Sequence, residues 1–178
     1  MDNPELRAKL EESHLASFGW ALACCAQDTA EAEEALQDVY LKILQGRAVF
    51  CEQASFRTWL FAVIRRTALE HRRRNYFRRF MLIRYETRSE RREPAPAPDE
   101  LLERSQRQRF FQAGLARLPR RQREVLHLVF YQDLSLSEAA ITMGISTGSA
   151  RTHYERGKKA LRNWIEPKQF VPEPALTK

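Results

Sequence analysis

The sequence predicts an all-α fold: two small helical domains joined by a flexible Pro-rich linker, the second carrying a helix-turn-helix. Three observations predict it. Apolar residues recur at spacings of three and four along nearly the whole chain. One stretch, ETRSERREPAPAPDE, breaks that pattern, and its PAPAP run lacks the N–H groups that a helix interior needs. Gly144 lies between two short amphipathic segments, where a left-handed residue turns one helix into the next. A length of 178 residues admits one large or two small domains. The expected division is a first domain over 10–83, a linker over 84–103, a second domain over 104–165 and a tail over 166–178. Pro167, Pro172 and Pro174 favour a frayed end in that tail.

In chain order, Leu15, Phe18, Leu22 and Cys25 mark one apolar face of the first long segment. Thr29 is placed to cap a helix running to about Leu44, with Leu36, Val39, Tyr40, Ile43 and Leu44 inward and Gly46 ending it. A short loop, RAVFCEQA, leads to Ser55. From there a long helix carries Phe56, Trp59, Leu60, Val63, Ile64 and Leu69 into HRRRNYFRRF. After the linker the helical pattern resumes at Leu101 with Leu102, Phe110, Phe111 and Leu115. Pro119 then starts a helix with Val125, Leu126, Leu128 and Val129.

The segment from Ser135 to Leu161 is the most specific. Leu136, Ala139, Ala140 and Met143 share one face of a short helix that Gly144 ends. Ile145 precedes Ser146, an N-cap with an apolar neighbour positioned as a staple. Ala150, Tyr154, Gly157 and Leu161 then recur at four, three and four, so they face inward together. Arg151, Thr152, His153, Glu155, Arg156, Lys158 and Lys159 project outward. Small inner residues with long polar outer ones make a helix suited to a DNA major groove.

Charge is distributed unevenly. Residues 1–60 carry a net of −5, residues 61–85 carry +7 and residues 99–178 carry +5, within a total of +7. A basic block beside an acidic one points to two surfaces for two partners. Arg65, Arg66, Arg72, Arg73, Arg74, Arg78 and Arg79 crowd one region with Trp59, Phe61, Tyr76 and Phe77 nearby. Guanidinium forks suit phosphates, and rings stack on unpaired bases. Trp59, taken alone, reads as a core residue. The three cysteines, Cys24, Cys25 and Cys51, have no zinc spacing, and their odd number fits a reduced compartment. No apolar run approaches the ~20 residues that span a bilayer, and the first residues lack a secretion pattern. The expectation is a cytoplasmic, non-enzymatic protein without metal or cofactor. His14, His71, His127 and His153 are scattered, and there is neither a carboxylate motif nor a glycine-rich phosphate loop.

With these features in this order, the chain resembles the sigma factors of bacterial RNA polymerase, specifically the small extracytoplasmic-function (ECF) group. AEEALQDVYLKIL with ASFRTWLFAVIRRTALEHRRR resembles the family's core-binding and promoter-melting domain. LPRRQREVLHLVFYQDLSLSEAAITMGISTGSARTHYERGKKAL resembles its C-terminal domain. The remaining alternative is a stand-alone helix-turn-helix repressor or activator, which leaves the acidic and arginine-rich helices without a role.

The resemblance implies roles for particular residues. Glu34, Gln37, Asp38, Leu41 and Lys42 become contacts to the clamp coiled coil of the polymerase largest subunit. Phe50, Cys51, Phe56, Arg57, Trp59, Arg65, Arg66, Arg72 and Arg73 become minus-ten contacts. Ser149, Thr152, His153, Glu155 and Arg156 become base readers at the minus-thirty-five element, with Arg151, Lys158 and Lys159 on phosphates. Arg120, Arg121 and Arg123 are either backbone contacts or plain surface. The implied partners are core RNA polymerase (clamp and flap), promoter DNA and an anti-sigma factor, with no membrane. The chain departs from the family pattern at Cys51, Glu52, Arg66, His153 and Gly157.

Overall fold

In a computed structural model the described residues are 3–83 and 113–165, and all regular structure among them is α-helical. Four helices form the first half: α1 (Asn3–Glu12), α2 (His14–Cys24), α3 (Thr29–Leu44) and α4 (Phe56–Ile83). Three form the second: α5 (Arg120–Phe130), α6 (Leu136–Met143) and α7 (Thr147–Ile165), preceded by a helical turn over 113–116. The expected linker and tail, together with Leu102, Phe110 and Phe111, lie outside the described residues.

Asp28, rather than Thr29, caps α3. Its carboxylate accepts a hydrogen bond from the Glu31 N–H at 2.9 Å, and Thr29 is the first helical residue. Gly46, at φ +69°, turns the chain out of α3, and the Arg47 N–H closes the turn on the Lys42 carbonyl at 2.8 Å. Ser55 caps α4 by accepting from the Thr58 N–H at 3.2 Å. The core of the first half is Trp20, Ala21, Ala23 and Cys24 from α2, then Ala32, Ala35, Leu36, Val39 and Ile43 from α3. From α4 come Leu60, Phe61, Ile64 and Ala68. Trp20 is fully enclosed and donates its indole N–H to the Phe61 carbonyl at 2.9 Å, the satisfied polar tip that a buried tryptophan needs.

Two expected inward residues are corrected. Leu15 is 86% exposed, although Phe18 and Leu22 of the same expected face pack against the core and Cys25 is buried in it; Trp20 and its small neighbours complete the buried side of α2. Leu44 is 43% exposed and shares the outer side of α3 with Leu41, three residues earlier.

The second half follows its caps closely. Ser135 and Glu138 form a reciprocal capping box, with the Glu138 N–H donating to Ser135 Oγ at 3.2 Å and the Ser135 N–H to Glu138 Oε2 at 2.9 Å. Gly144 takes φ +63° between α6 and α7, and Ser146 Oγ accepts from the Ser149 N–H at 3.2 Å. Ala150, Gly157 and Leu161 are buried, with Tyr154 half-buried beside them. A Cβ on Gly157 would lie 3.0 Å from Leu126 Cδ1 and 3.3 Å from Gln122 Cβ. The glycine therefore lets α5 and α7 approach closely, which offsets the ~1 kcal/mol that a helical glycine costs.

The two halves share one core. Val125, Leu128, Leu134, Ala139, Ala140 and Met143 are continuous with the buried residues of α2–α4. A smaller cluster, Leu115, Leu118, Leu126 and Leu161, belongs to the second half alone. The sequence gives no sign of this joining, since each half has a helical pattern sufficient for its own core.

Candidate nucleic-acid and protein interfaces

The inward stripe of α7 holds its opposite face in solvent. Ser149, Arg151, Thr152, Glu155, Arg156 and Lys159 are exposed there, and His153 and Lys158 are half-buried at its edges. The Thr152 hydroxyl donates to the Gly148 carbonyl at 3.0 Å, and the Lys158 ammonium lies 5.1 Å from the centre of the Tyr154 ring. All eight sequence-predicted residues thus occupy one helix, with six charged or hydrogen-bonding side chains exposed to a groove.

A second site gathers at the start of α4. Phe50, Phe56 and Trp59 form a triangle of rings with centroids 5.4–5.5 Å apart, Phe50 meeting Phe56 edge-on at 87°. Trp59 is half-buried, so it combines the two sequence readings: part of a small aromatic cluster, with an edge in solvent. The loop before it reverses at Glu52, φ +56°, and leaves Cys51 exposed. Further along α4, Arg66, Arg72 and Arg73 are exposed, as are Tyr76 and Phe77. Such rings and guanidinium groups suit unpaired bases and phosphates.

Two of the expected minus-ten residues are not part of this exposed set. Arg65 is only 11% exposed. Its Nε and Nη2 donate to Glu124 Oε2 at 3.2 and 3.1 Å, and its Nη1 donates to the Met143 carbonyl at 2.9 Å. Arg57 donates to Gln132 Oε1 at 3.0 Å and lies 5.4 Å over the Phe61 ring. Both are turned inward because α5 and α6 bring acceptors to that side of α4. The basic block is also better compensated than its sequence suggests: Arg66 meets Glu70 at 3.3 Å, and Arg74 meets Asp38 at 3.6 Å.

The third site is the outer face of α3. Glu34, Gln37 and Leu41 are exposed, while Asp38 and Lys42 are tied to α4. His71, 5% exposed, hydrogen-bonds Asp38 Oδ2 at 2.6 Å and lies 4.0 Å from Glu34. That hydrogen bond holds the Asp38 carboxyl below the usual carboxylate range. Lys42 donates to Glu70 at 3.0 Å and to Thr67 at 3.1 Å, and depresses the Glu70 carboxyl likewise. In the sequence His71 looks like one of four scattered histidines. Its spacing from Phe61, Ile64 and Ala68 on one helical face was the available signal. Among the described residues no cluster of His, Cys, Asp and Glu is arranged to hold a metal ion, and no helix is long and apolar enough to cross a membrane.

Residues 13–78 match the family described as Sigma-70 region 2, and residues 114–163 match Sigma-70, region 4. The chain belongs to the ECF group of the sigma-70 family. This sigma factor is 30% identical over 148 residues to "ECF RNA polymerase sigma factor SigX" of Bacillus subtilis, covering 79% of this chain and 73% of that protein. It is 31% identical over 131 residues to "ECF RNA polymerase sigma factor SigF" of Caulobacter vibrioides, with coverage of 74% and 69%. Its fold resembles sigma factor RpoE solved with the anti-sigma factor NepR from Bartonella quintana. The TM-score is 0.70 at 19% identity, covering 93% of this chain and 99% of that one. It also resembles CnrH solved with the cytosolic domain of CnrY, at a TM-score of 0.61 and 18% identity, covering 93% and 91%. As a sigma factor it directs RNA polymerase core enzyme to specific promoters and assists initiation of transcription.

Proposed function

We propose that the three surfaces divide the sigma factor's work. The α3 face, with Glu34, Gln37, Asp38, Leu41 and Lys42, docks on the polymerase clamp. The Phe50–Phe56–Trp59 triangle, with Cys51, Arg66, Arg72 and Arg73, takes the minus-ten element, and Arg57 and Arg65 join it once released from the second half. The exposed face of α7 reads the minus-thirty-five element. The division of the chain into 10–83, a linker over 84–103 and 104–165 follows the same assignment. The observation that carries it is the separation of chemistries: carboxylate, amide and leucine side chains on α3, rings and guanidinium groups on α4, and mixed donors on α7.

The protein acts without catalysing a reaction, works in the cytoplasm, and is held in reserve by an anti-sigma protein. Supporting the last point, the structurally similar RpoE was solved with the anti-sigma factor NepR. The deciding experiment titrates labelled factor with core polymerase. Asp38→Arg is expected to weaken binding tenfold or more, about 1.4 kcal/mol, while Arg156→Ala leaves the titration unchanged. Equal losses in the two variants overturn the division of surfaces.

A further inference from the structure

Position 71 lies on the core stripe of α4. It follows Ile64 and Ala68 at helical spacing, both fully buried, and at such a place an apolar side chain is the rule. His71 is 5% exposed there, yet its ring turns both nitrogens toward carboxylates of α3. Nε2 lies 2.6 Å from Asp38 Oδ2, and Nδ1 lies 4.0 Å from Glu34 Oε1. An ionised carboxylate only accepts hydrogen bonds, so Nε2 is the donor whatever the charge of the ring.

Other contacts are enough to join the two helices. Leu36, Val39 and Ile43 of α3 share one core with Leu60, Ile64 and Ala68 of α4. Lys42 donates to Glu70 at 3.0 Å and to Thr67 at 3.1 Å, and Asn75 donates to Glu31 at 3.2 Å. The imidazole has a narrower effect: it fixes one side chain. Asp38 is 38% exposed, and the contacts from His71 and Arg74, at 2.6 and 3.6 Å, both reach its Oδ2. Oδ1, to which no described residue donates, is left for an incoming donor. Of the two anchors His71 is the stiffer, since its ring is enclosed while the Arg74 side chain is 66% exposed on a long stem. A surface carboxylate without such an anchor has to be ordered when a partner binds, and that ordering lowers affinity.

We propose that His71 is a positioning residue for polymerase docking: from inside the domain it holds the Asp38 carboxylate in the orientation that the α3 face presents to the clamp. The role rests on the reading of α3 given above. His71 is itself too enclosed to touch the partner, so it acts through Asp38 alone. Its apolar surroundings shield the hydrogen bond from water and strengthen it relative to the exposed pairs nearby.

The test titrates labelled full-length factor with core polymerase and places His71→Leu and Asp38→Ala in a double-mutant cycle. His71→Leu alone is expected to weaken binding by about three- to tenfold, the effect of ordering one side chain at an interface. In the Asp38→Ala background it should add less than about twofold, the scatter between independent sites. A ring that only held the helices together would lose as much in that background as in wild type. A second arm, useful if His71→Leu fails to fold, varies reach. Gln carries its amide nitrogen about as far from the backbone as Nε2, whereas Asn is shorter by one methylene. His71→Gln should therefore bind core as wild type does, and His71→Asn should bind as the leucine variant does. Carbon-detected NMR of the free factor reads the same hydrogen bond. The Asp38 carboxyl, held low in wild type, should titrate at higher pH in His71→Asn and stay low in His71→Gln. Equal losses for His71→Leu with and without Asp38, or Gln and Asn variants that bind alike, overturn the role. If Asp38→Ala weakens binding while His71→Leu and His71→Asn do not, the positioning role falls and the reading of α3 stands. If Asp38→Ala binds as well as wild type, the reading of α3 falls and takes the role with it.

Discussion

Arg65 and Arg66 are adjacent in sequence, carry the same charge and belong to the same helix, yet they have opposite surroundings. Arg65 is 11% exposed and triply bonded to Glu124 and the Met143 carbonyl. Arg66 is 84% exposed and touches Glu70 one turn away. A step of one residue turns a side chain by about 100° around a helix, which here separates an internal joint from a surface open to DNA. The basic block of α4 is therefore two populations. Arg72 and Arg73 belong with Arg66, and Arg57 belongs with Arg65. Net charge measures the sum of the two and cannot divide it.

The sharpest way to break that comparison is to delete each arginine in turn. Arg65→Ala leaves the buried Glu124 carboxylate with only Arg120, 3.5 Å from its Oε1, as a cationic partner, so the loss stays below the ~3–5 kcal/mol of a fully broken buried pair but well above that of a surface one. The loss is capped by the free energy holding the halves together, because parting them lets Glu124 reach water. Arg66→Ala removes an exposed i,i+4 pair and should change stability by less than about 0.5 kcal/mol. Denaturant unfolding of the two variants beside wild type measures both. Similar losses would mean that Arg65 is as exposed in solution as its neighbour.

A smaller effect comes from the ring beside that joint. His127 packs between Trp20, at a centroid distance of 5.4 Å, and Tyr131, at 5.1 Å. Burial pushes its pKa down from 6.5 to about 4. Its Nε2 accepts the Gln132 amide hydrogen, a role open only to the unprotonated ring. Because the folded pKa is lowered, the unfolded chain binds a proton between about pH 6.5 and 4 that the folded chain refuses. Stability from this group is thus full above pH 6.5 and falls as the pH drops through that window, by at most about 3 kcal/mol. Parting the halves also exposes the ring and follows the same sign. Thermal unfolding at pH 7 and pH 5 should show the drop, and His127→Phe should remove this share of it. An unchanged pH dependence in His127→Phe would place the titration elsewhere.

Local rules carried the sequence reading a long way where the determinants were local. The Ser146 cap, the Gly144 turn and the inward set Ala150, Gly157 and Leu161 are all spaced within one or two turns, so period and capping chemistry fix them. The family resemblance, read from two segments, agrees with the matches over 13–78 and 114–163. On α2 the expected face is right at Cys25, which is buried, and at Phe18 and Leu22, which pack against the core, and fails only at Leu15, while Trp20 and its small neighbours Ala21, Ala23 and Cys24 are core residues that the expected face leaves out. The joint between halves was not legible at all. Glu124 and Arg65 are 59 residues apart, and a carboxylate among the arginines of an amphipathic helix looks like ordinary surface.

The exposed side of the comparison is tested most finely on α7, where the question is which cations read bases and which hold the backbone. Arg156 and Lys159 are both exposed on the helix that carries the groove-reading set, so exposure alone does not separate their roles. Their chemistry does. A guanidinium fork pairs two acceptors on a guanine edge, whereas an ammonium is a point charge that suits phosphate equally at any sequence. Arg156→Ala should therefore relax discrimination at one or two positions of the minus-thirty-five element by about 1–3 kcal/mol each. Lys159→Ala should weaken all sequences alike and reduce the salt slope by about 1. Binding of a randomised promoter library by the holoenzyme, read at two salt concentrations, distinguishes them. A uniform loss for Arg156→Ala would move that side chain to the phosphate group and leave base reading to Ser149, Thr152, His153 and Glu155.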